Sequence, residues 1–285
     1  LFSQLRLKFL HPFGLERLTL TVAENQQPFI STWIGTYGHF FWLFILGGIL
    51  LSYYIFAELD KKYRYGLTAT FAFFIITLIF SRYKPDSILN GTSPPAQIAF
   101  FVGMLIIPIA LIYVNITTFK KDRKNFEKFA EIDKALIFAL IWFAWAAIGA
   151  RGAIRLVFLL APVVAFLGAF LIVKVAELTM KFKENVFKYG TLAIIVLVTI
   201  FLFYGFAKAS ADATRNTFPH LHPQWTNAMD WVAQNTPENA VFGHWWDYGY
   251  WLQTGGKRAT SLDGGNVYPY WDHLMGRYML TNSNL

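Results

Sequence analysis

The sequence lacks cysteine and contains few charged residues. Without cysteine, it has no disulfide framework and no thiol chemistry. Charged residues make up 15% of the 285 positions, whereas soluble domains contain about 25%. Hydrophobic residues reach 55% and aromatic residues 19%, and the mean hydropathy is +0.40. This composition excludes an ordinary soluble domain and indicates a membrane protein with room for one soluble portion.

We also expect no leader sequence at the amino end of the chain. It begins with Leu1 rather than methionine, and no basic segment followed by an apolar run comes first, so we expect no signal peptide. It ends at Asn284-Leu285, soon after residues typical of folded structure. We therefore expect a fragment of a longer protein, cut at both ends.

Six apolar stretches approach the ~20 residues that are needed to cross a bilayer. They occupy residues 39–57, 67–80, 96–118, 135–150, 153–173 and 190–207. The fourth and fifth stretches are separated only by Ala150-Arg151-Gly152-Ala153, which we interpret as a tight external turn. The prediction is a polytopic α-helical membrane protein with six spans.

Lysine and arginine residues are distributed unequally between the two sides of these spans. The loops 58–65, 119–134 and 174–188 carry thirteen of them, whereas the opposite short loops carry only Arg82, Lys84, Arg151 and Arg155. The positive-inside rule places the thirteen in the cytoplasm and both terminal segments, 1–38 and 208–285, outside. The net charge of +8 is thus explained by membrane topology, and we expect membrane lipids rather than nucleic acid as partners.

Residues 208–285 are more polar than the rest of the chain. The apolar spacing within Trp225–Gln234 predicts an amphipathic helix, and Ala240–Gly243 is typical of a strand after a turn. Helix, turn and strand together predict the start of an extracytoplasmic mixed α/β domain.

The stretch WWDYG places one acid, Asp247, among large rings. Indole N–H groups only donate hydrogen bonds and a carboxylate only accepts them, so Trp245, Trp246 and Asp247 together suit a hydroxyl group, which does both. Surrounding rings would exclude water and make the contacts discriminating. A buried aromatic strand with one satisfied acid remains an alternative.

Three further charged positions are predicted on the same external side. Glu24, in Thr21-Val22-Ala23-Glu24, is either a solvated charge or a carboxylate that binds a metal or an amide. Arg155 lies one turn into an apolar stretch, where its planar guanidinium suits the phosphate of a lipid. Arg151 either extends to the lipid headgroups or serves a functional role.

These three motifs together resemble the catalytic subunit of the asparagine-linked oligosaccharyltransferase, in its carboxyl-terminal part and of archaeal type. WWDYG at residues 245–249 matches the family motif without change. Thr21-Val22-Ala23-Glu24 resembles its S/T-hydrophobic-x-Glu motif, and the segment from Arg155 to Pro162 resembles its R-L-x-L-x-L-x-P segment. The order of the motifs and their predicted side of the membrane also agree.

The resemblance implies an inverting glycosyltransferase that moves an oligosaccharide from a polyprenyl (pyro)phosphate to Asn of an Asn-x-Ser/Thr acceptor protein. Trp245, Trp246 and Asp247 would hold the acceptor hydroxyl. Glu24 would be catalytic, holding the Asn amide and a divalent metal, Mn²⁺ or Mg²⁺. Arg155 would bind the phosphate of the lipid-linked oligosaccharide, with Tyr250 and Asp263-Gly264-Gly265 nearby.

The chain departs from this family in two respects. The metal-binding aspartates of the family belong to earlier external loops, so we expect this fragment to be inactive alone. The stretch 67–118 is an additional helix pair, and its loop contains an acceptor sequon, Asn90-Gly91-Thr92. Two other functions stay open, namely a different polyprenyl-phosphate-dependent membrane glycosyltransferase and a non-catalytic membrane protein that binds glycan or peptide.

Overall fold

The computed structural model describes residues 22–216, 222–265 and 268–281, which are mostly helical. Its α-helices and strands, in chain order, are α1 Ile30–Tyr37, α2 Phe40–Ile55, α3 Lys61–Phe80, α4 Pro94–Lys121, α5 Arg123–Ala130, α6 Lys134–Gly152, α7 Ala161–Thr179, α8 Asn185–Asn216, α9 Pro223–Asn235, β1 Val241–Phe242, α10 Gly249–Thr254, β2 Ala259–Thr260 and α11 Pro269–Leu280. Three short 3₁₀ helices occupy Ala23–Asn25, Ile154–Leu160 and Trp246–Tyr248.

Five of the described helical segments are long and apolar enough to cross a membrane. They are α3, α4, α6, Ile154–Thr179 and α8. The first predicted span corresponds to α2, which meets α1 at an angle of 100°, and the count reaches six if this bent pair is one span. The described residues therefore agree with a polytopic helical membrane protein. The orientation of the termini stays a prediction from the loop charges.

The predicted turn at residues 150–153 is wrong in its extent. Helix α6 continues through Gly152, and only Ala153 is extended, with φ −159° and ψ 147°. A 3₁₀ helix then precedes α7, so the predicted span 153–173 is not one regular helix. Pro162 stands in the first turn of α7, where its missing N–H group costs nothing, and this favours the start of the α-helix there.

The spans pack through small residues and interlocking rings. Phe44 and Phe143 are fully buried, and their rings meet edge to face at 5.8 Å. Gly47 of α2 lies so near α7 that a methyl group at this position would be 2.2 Å from the carbonyl oxygen of Leu167. Such close approach through a small residue is typical of membrane helices, whose association depends on packing rather than on the hydrophobic effect.

The chain divides into two compact units, with the boundary between Phe206 and Ala207. In the second unit, α9 contains the predicted helix, and its Met229 and Val232 form a small core with Leu252. The predicted strand is present as β1, which pairs in parallel with β2. Because the described strands have only two residues each, the α/β class of this domain stays a prediction.

The parallel pairing determines where WWDYG lies. Two parallel strands require a crossover connection between them, and WWDYG follows β1 at the beginning of this crossover. The loops after the carboxyl ends of parallel strands are common places for ligand sites.

Candidate functional site

Glu24 and Arg155 lie on segments that are hydrogen-bonded neighbours. Glu24 is exposed on the 3₁₀ helix Ala23–Asn25, and Arg155 is exposed on the 3₁₀ helix Ile154–Leu160. The backbone N–H of Ile154 donates to the carbonyl oxygen of Gln26 at 2.8 Å. The structure thus brings together two motifs that are far apart in the sequence. Thr21, the first residue of the Glu24 motif, lies outside the described residues.

The 3₁₀ helix that carries Arg155 is also bonded to α1. The buried Tyr37 donates its hydroxyl hydrogen to the carbonyl oxygen of Val157, and its ring packs edge to face on Phe44 at 6.3 Å. This contact satisfies one backbone acceptor in a segment where the regular helical pattern is interrupted. The position of the Arg155 backbone is therefore determined from both α1 and the Glu24 segment.

Arg151 is 2% exposed, so it does not extend to lipid headgroups as the first interpretation proposed. Its Nε donates to the carbonyl oxygen of Leu78 at 3.1 Å, and its Nη1 donates to Oε1 of Gln27 at 2.7 Å. Its guanidinium also lies 5.3 Å from the ring centroid of Phe100. These contacts are all with uncharged groups, and they join α6, α3 and the segment after Glu24.

WWDYG does not form a buried strand. Residues Trp246–Tyr248 form a 3₁₀ helix, and Trp245 precedes it in extended conformation. Trp245 and Trp246 are half-buried, whereas the carboxylate of Asp247 belongs to an exposed residue. The alternative of a satisfied core acid is therefore wrong, and the indoles and the acid of the predicted hydroxyl pocket stay accessible.

The remaining rings of WWDYGYW have separate roles. Tyr248 stacks on Trp225 of α9 at 4.9 Å, and Trp251 meets the same ring at 4.8 Å, so both pack against α9. Tyr250 turns to the following loop, where a methyl group at Gly264 would lie 2.8 Å from its Cε2 atom. Its predicted place near the donor stays a prediction.

Asp263 has a structural role in that loop. It is buried, and its two carboxylate oxygens accept hydrogen bonds from the N–H of Gly265 at 2.7 Å and from Nε2 of Gln253 at 2.9 Å. The carboxylate therefore closes the loop onto α10. Asn266, which follows Gly265, lies outside the described residues.

Asp272 on α11 is a residue that the sequence reasoning missed. It is 3% exposed, and neither of its carboxylate oxygens has a hydrogen-bond partner among the described residues. Burial raises its pKa, and the negative charge of Asp247 raises it further. The pattern Tyr270-Trp271-Asp272 again places an acid beside rings, which is the signal that could have revealed it.

Within the described ranges, no group of three or more histidine, cysteine, aspartate or glutamate residues is placed to hold a metal ion. Glu24 supplies one exposed carboxylate, which is a suitable ligand for Mn²⁺ or Mg²⁺ but not a complete site. The metal therefore stays a proposal.

Comparison with known proteins identifies archaeal relatives. The chain is 27% identical over 200 residues to the dolichyl-phosphooligosaccharide-protein glycotransferase 1 of Pyrococcus furiosus, a match that covers 68% of this chain and 20% of that protein. It is 31% identical over 104 residues to the dolichyl-phosphooligosaccharide-protein glycotransferase of Methanocaldococcus jannaschii, covering 36% and 10% respectively. Identity to the dolichyl-monophosphooligosaccharide-protein glycotransferase of Haloferax volcanii is 24% over 183 residues, covering 48% and 17%.

The chain thus spans a fifth or less of the length of these relatives. No family model and no solved structure matches it. The resemblance that the three motifs indicate is nevertheless confirmed: the chain is similar to the archaeal dolichyl-phosphooligosaccharide-protein glycotransferases.

Proposed function

We propose that the protein is an oligosaccharyltransferase, which moves an oligosaccharide from a polyprenyl (pyro)phosphate to the Asn side chain of an Asn-x-Ser/Thr acceptor. The observation that carries this proposal is the hydrogen bond between Gln26 and Ile154, which joins the Glu24 segment to the Arg155 segment. Transfer from a phosphate to an amide needs a group that binds each of them. An exposed carboxylate and an exposed guanidinium on adjoining segments meet that need.

Arg155 is proposed to bind the donor phosphate. Its fork of N–H donors matches phosphate oxygens in a bidentate arrangement, and the interaction strengthens as negative charge develops on the leaving group. In the reaction, the bond from the sugar C1 atom to the phosphate oxygen breaks with its electron pair on oxygen, while the amide nitrogen bonds to C1 with inversion. The amide nitrogen loses one N–H proton in this step, and the released phosphate accepts it.

Glu24 is proposed to bind the acceptor amide. A carboxylate accepts hydrogen bonds from an –NH₂ group and so orients it for attack. Glu24 would also supply one ligand to Mn²⁺ or Mg²⁺, a type of ion that neutralises a departing phosphate. Its other ligands would come from residues that the structure does not describe.

The acceptor hydroxyl is assigned to Trp245, Trp246 and Asp247. The exposed carboxylate of Asp247 accepts the hydroxyl hydrogen, and an indole N–H donates to its oxygen. A site with such polar groups rejects an acceptor that lacks the hydroxyl, because its own groups are then left unpaired. On the loop charges, we place this chemistry on the extracytoplasmic face of a multi-pass membrane protein.

The test uses the protein expressed from its complete open reading frame, a lipid-linked oligosaccharide and fluorescent peptides that contain Asn-x-Thr or Asn-x-Ala. We expect transfer to the Thr peptide alone. Asp247→Ala should weaken peptide binding at least about tenfold, since a hydrogen bond to a charged group contributes ~1.5–3 kcal/mol. Glu24→Gln and Arg155→Ala should abolish most transfer.

Matched controls are Asp230→Ala and Glu58→Gln, which change exposed acids outside the motifs. Equal transfer to the Ala peptide would show that Asp247 does not read the hydroxyl. Transfer of sugar to an acceptor other than peptide would favour a different polyprenyl-phosphate-dependent glycosyltransferase. Peptide binding with no transfer and no metal dependence would favour a non-catalytic binding protein.

A further inference from the structure

Two arginines, Arg82 just after α3 and Arg151 in α6, hold the residue Gln27, three positions after Glu24. Nε of Arg82 donates to the backbone carbonyl oxygen of Gln27 at 2.9 Å. Nη1 of Arg151 donates to its side-chain oxygen Oε1 at 2.7 Å. Both acceptor oxygens of Gln27 thus receive hydrogen bonds from a guanidinium, and such charge-assisted bonds are the stronger class.

Arg82 is itself fixed by several contacts. Its guanidinium lies 4.2 Å from the ring centroid of Phe29, and its Nη1 donates to the carbonyl oxygen of Asn90 at 3.4 Å. Its own carbonyl oxygen accepts the N–H of Ile30 at 3.2 Å. Gly91, with φ +88°, leaves the space for this side chain, since a methyl group there would lie 2.8 Å from Nη1 of Arg82.

Both arginines connect the Glu24 segment to one helix pair. Arg82 follows α3, and Asn90 stands in the loop that leads to α4. Arg151 also donates to Leu78 and Ser81 at the same end of α3. The α3–α4 pair, which the sequence predicts to be an addition relative to the family, therefore contacts the Glu24 segment through the end that carries Arg82 and Asn90.

We propose that Arg82 and Arg151 are positioning residues, through which the α3–α4 pair holds the Glu24 segment against the Arg155 segment. Ordering a short exposed segment costs about 1–2 kcal/mol for each residue, and a misplacement of ~1 Å in a reacting group costs about 100-fold in rate. Neither arginine contacts substrate in this scheme. The inference rests on the proposed role of Glu24.

The main variant is Arg82→Met, which keeps the apolar stem and removes the donors to Gln27 and Asn90. Arg82→Lys is the conservative variant. The control is Arg64→Met at the opposite end of α3, because Arg64 likewise donates to backbone carbonyl oxygens, those of Phe56 and Leu59. Gly91→Ala is a second route, since it occupies the space of the Arg82 side chain without changing its charge.

Two readouts separate positioning from general destabilisation. The first is the kinetics of transfer in the complete protein, as KM for the acceptor peptide and KM for the lipid donor. The second is the mobility of a spin label on Ala23→Cys, an exposed position next to Glu24 in a sequence with no cysteine.

We expect Arg82→Met to raise the peptide KM about tenfold, which corresponds to ~1.4 kcal/mol and to one lost hydrogen bond of this class. The donor KM should change little, and the spin label should become more mobile. Arg82→Lys should show both effects in weaker form, and Gly91→Ala should reproduce them. Arg64→Met should show neither. If Arg82→Met does not fold, the peptide KM and the label mobility of Gly91→Ala and Arg82→Lys test the inference instead.

The inference is overturned if Arg82→Met and Arg64→Met behave alike. It is also overturned if the peptide KM rises while the label stays as immobile as in the unchanged protein, because Arg82 would then act on the substrate. Absence of transfer by the unchanged protein would refute the proposed function instead, and the spin-label comparison would still test the two-arginine contact.

Discussion

Gly249, the last residue of WWDYG, lies directly against the backbone of the following loop. A methyl group at this position would be 2.3 Å from the carbonyl oxygen of Leu262 and 2.7 Å from the Cα atom of Asp263. Carbon and oxygen atoms without a bond between them stay at least about 3.3 Å apart, so the backbone must move by roughly 1 Å. Overpacking of this kind costs about 1–3 kcal/mol, and the upper part of this range applies because backbone atoms cannot rotate away.

We therefore expect Gly249→Ala to lower the melting temperature of the second unit. For a unit of this size, each kcal/mol lowers the midpoint by about 4–8 °C. The displacement begins two residues after Asp247, so the affinity for an Asn-x-Thr peptide should fall as well. Thermal unfolding followed by tryptophan fluorescence and peptide binding followed by anisotropy measure the two effects in the complete protein.

Gly243→Ala is the matched control for this substitution. A methyl group at Gly243 would lie 3.4 Å from the flexible Cε atom of Met275, which is an ordinary contact. Equal melting of the two variants and of the unchanged protein would refute the packing argument. A lower melting temperature with unchanged peptide affinity would instead separate the geometry of Gly249 from acceptor binding.

Three other substitutions have defined expected outcomes. Burial raises the pKa of Asp272 in the folded state, and the negative charge of Asp247 raises it further. The contribution of Asp272 to stability is therefore full at low pH and is lost as the pH rises through that pKa. Asp272→Asn should raise the free energy of unfolding at pH 7 by ~1–3 kcal/mol, with no gain below about pH 4. Lys257 has a φ of 52°, in the left-handed region that is unfavourable for residues with a Cβ atom. Lys257→Gly should therefore raise the free energy of unfolding by ~1 kcal/mol, measured by thermal unfolding, whereas Lys257→Ala should not. Gly47→Ala should lower the unfolding temperature in detergent, because it separates α2 from α7. Gly35→Ala, with no atom within 4 Å, should not lower it, since alanine is also the better helix former.

The parts of the fold that depend on local composition could be predicted from the sequence. Apolar runs predict spans because the requirement for crossing a bilayer applies to each segment by itself. The periodicity of residues 225–234 likewise predicts α9, whose Met229 and Val232 face the small core. The predicted turn at 150–153 is too broad, and the predicted span starting at 153 misses the local signal of Pro162, which lies in the first turn of α7.

The parts that depend on distant contacts could not be predicted. The sequence alone leaves Arg151 with two possible roles, and the choice depends on Gln27 and Leu78, which are far from it in the chain. Glu24 and Arg155 were both singled out, but no local pattern indicates that their segments share a hydrogen bond. Gln27 and Arg82 belong to no recognisable sequence motif, and only the hydrogen bond between them shows that they position the Glu24 segment.

Asp272→Asn shows whether Asp247 of WWDYG binds the acceptor without help from a second acid. A buried carboxylate with no hydrogen-bond partner opposes folding, and such local costs in natural proteins concentrate at functional sites. If Asp272 supports the acceptor pocket through Asp247, then Asp272→Asn gains stability at neutral pH and loses peptide affinity. If Asp272 has no role in acceptor binding, the same substitution raises the stability of the protein and leaves its peptide affinity unchanged. Peptide titration at pH 7, beside the melting curves, separates the two outcomes, and only a loss of affinity makes the second acid part of the site.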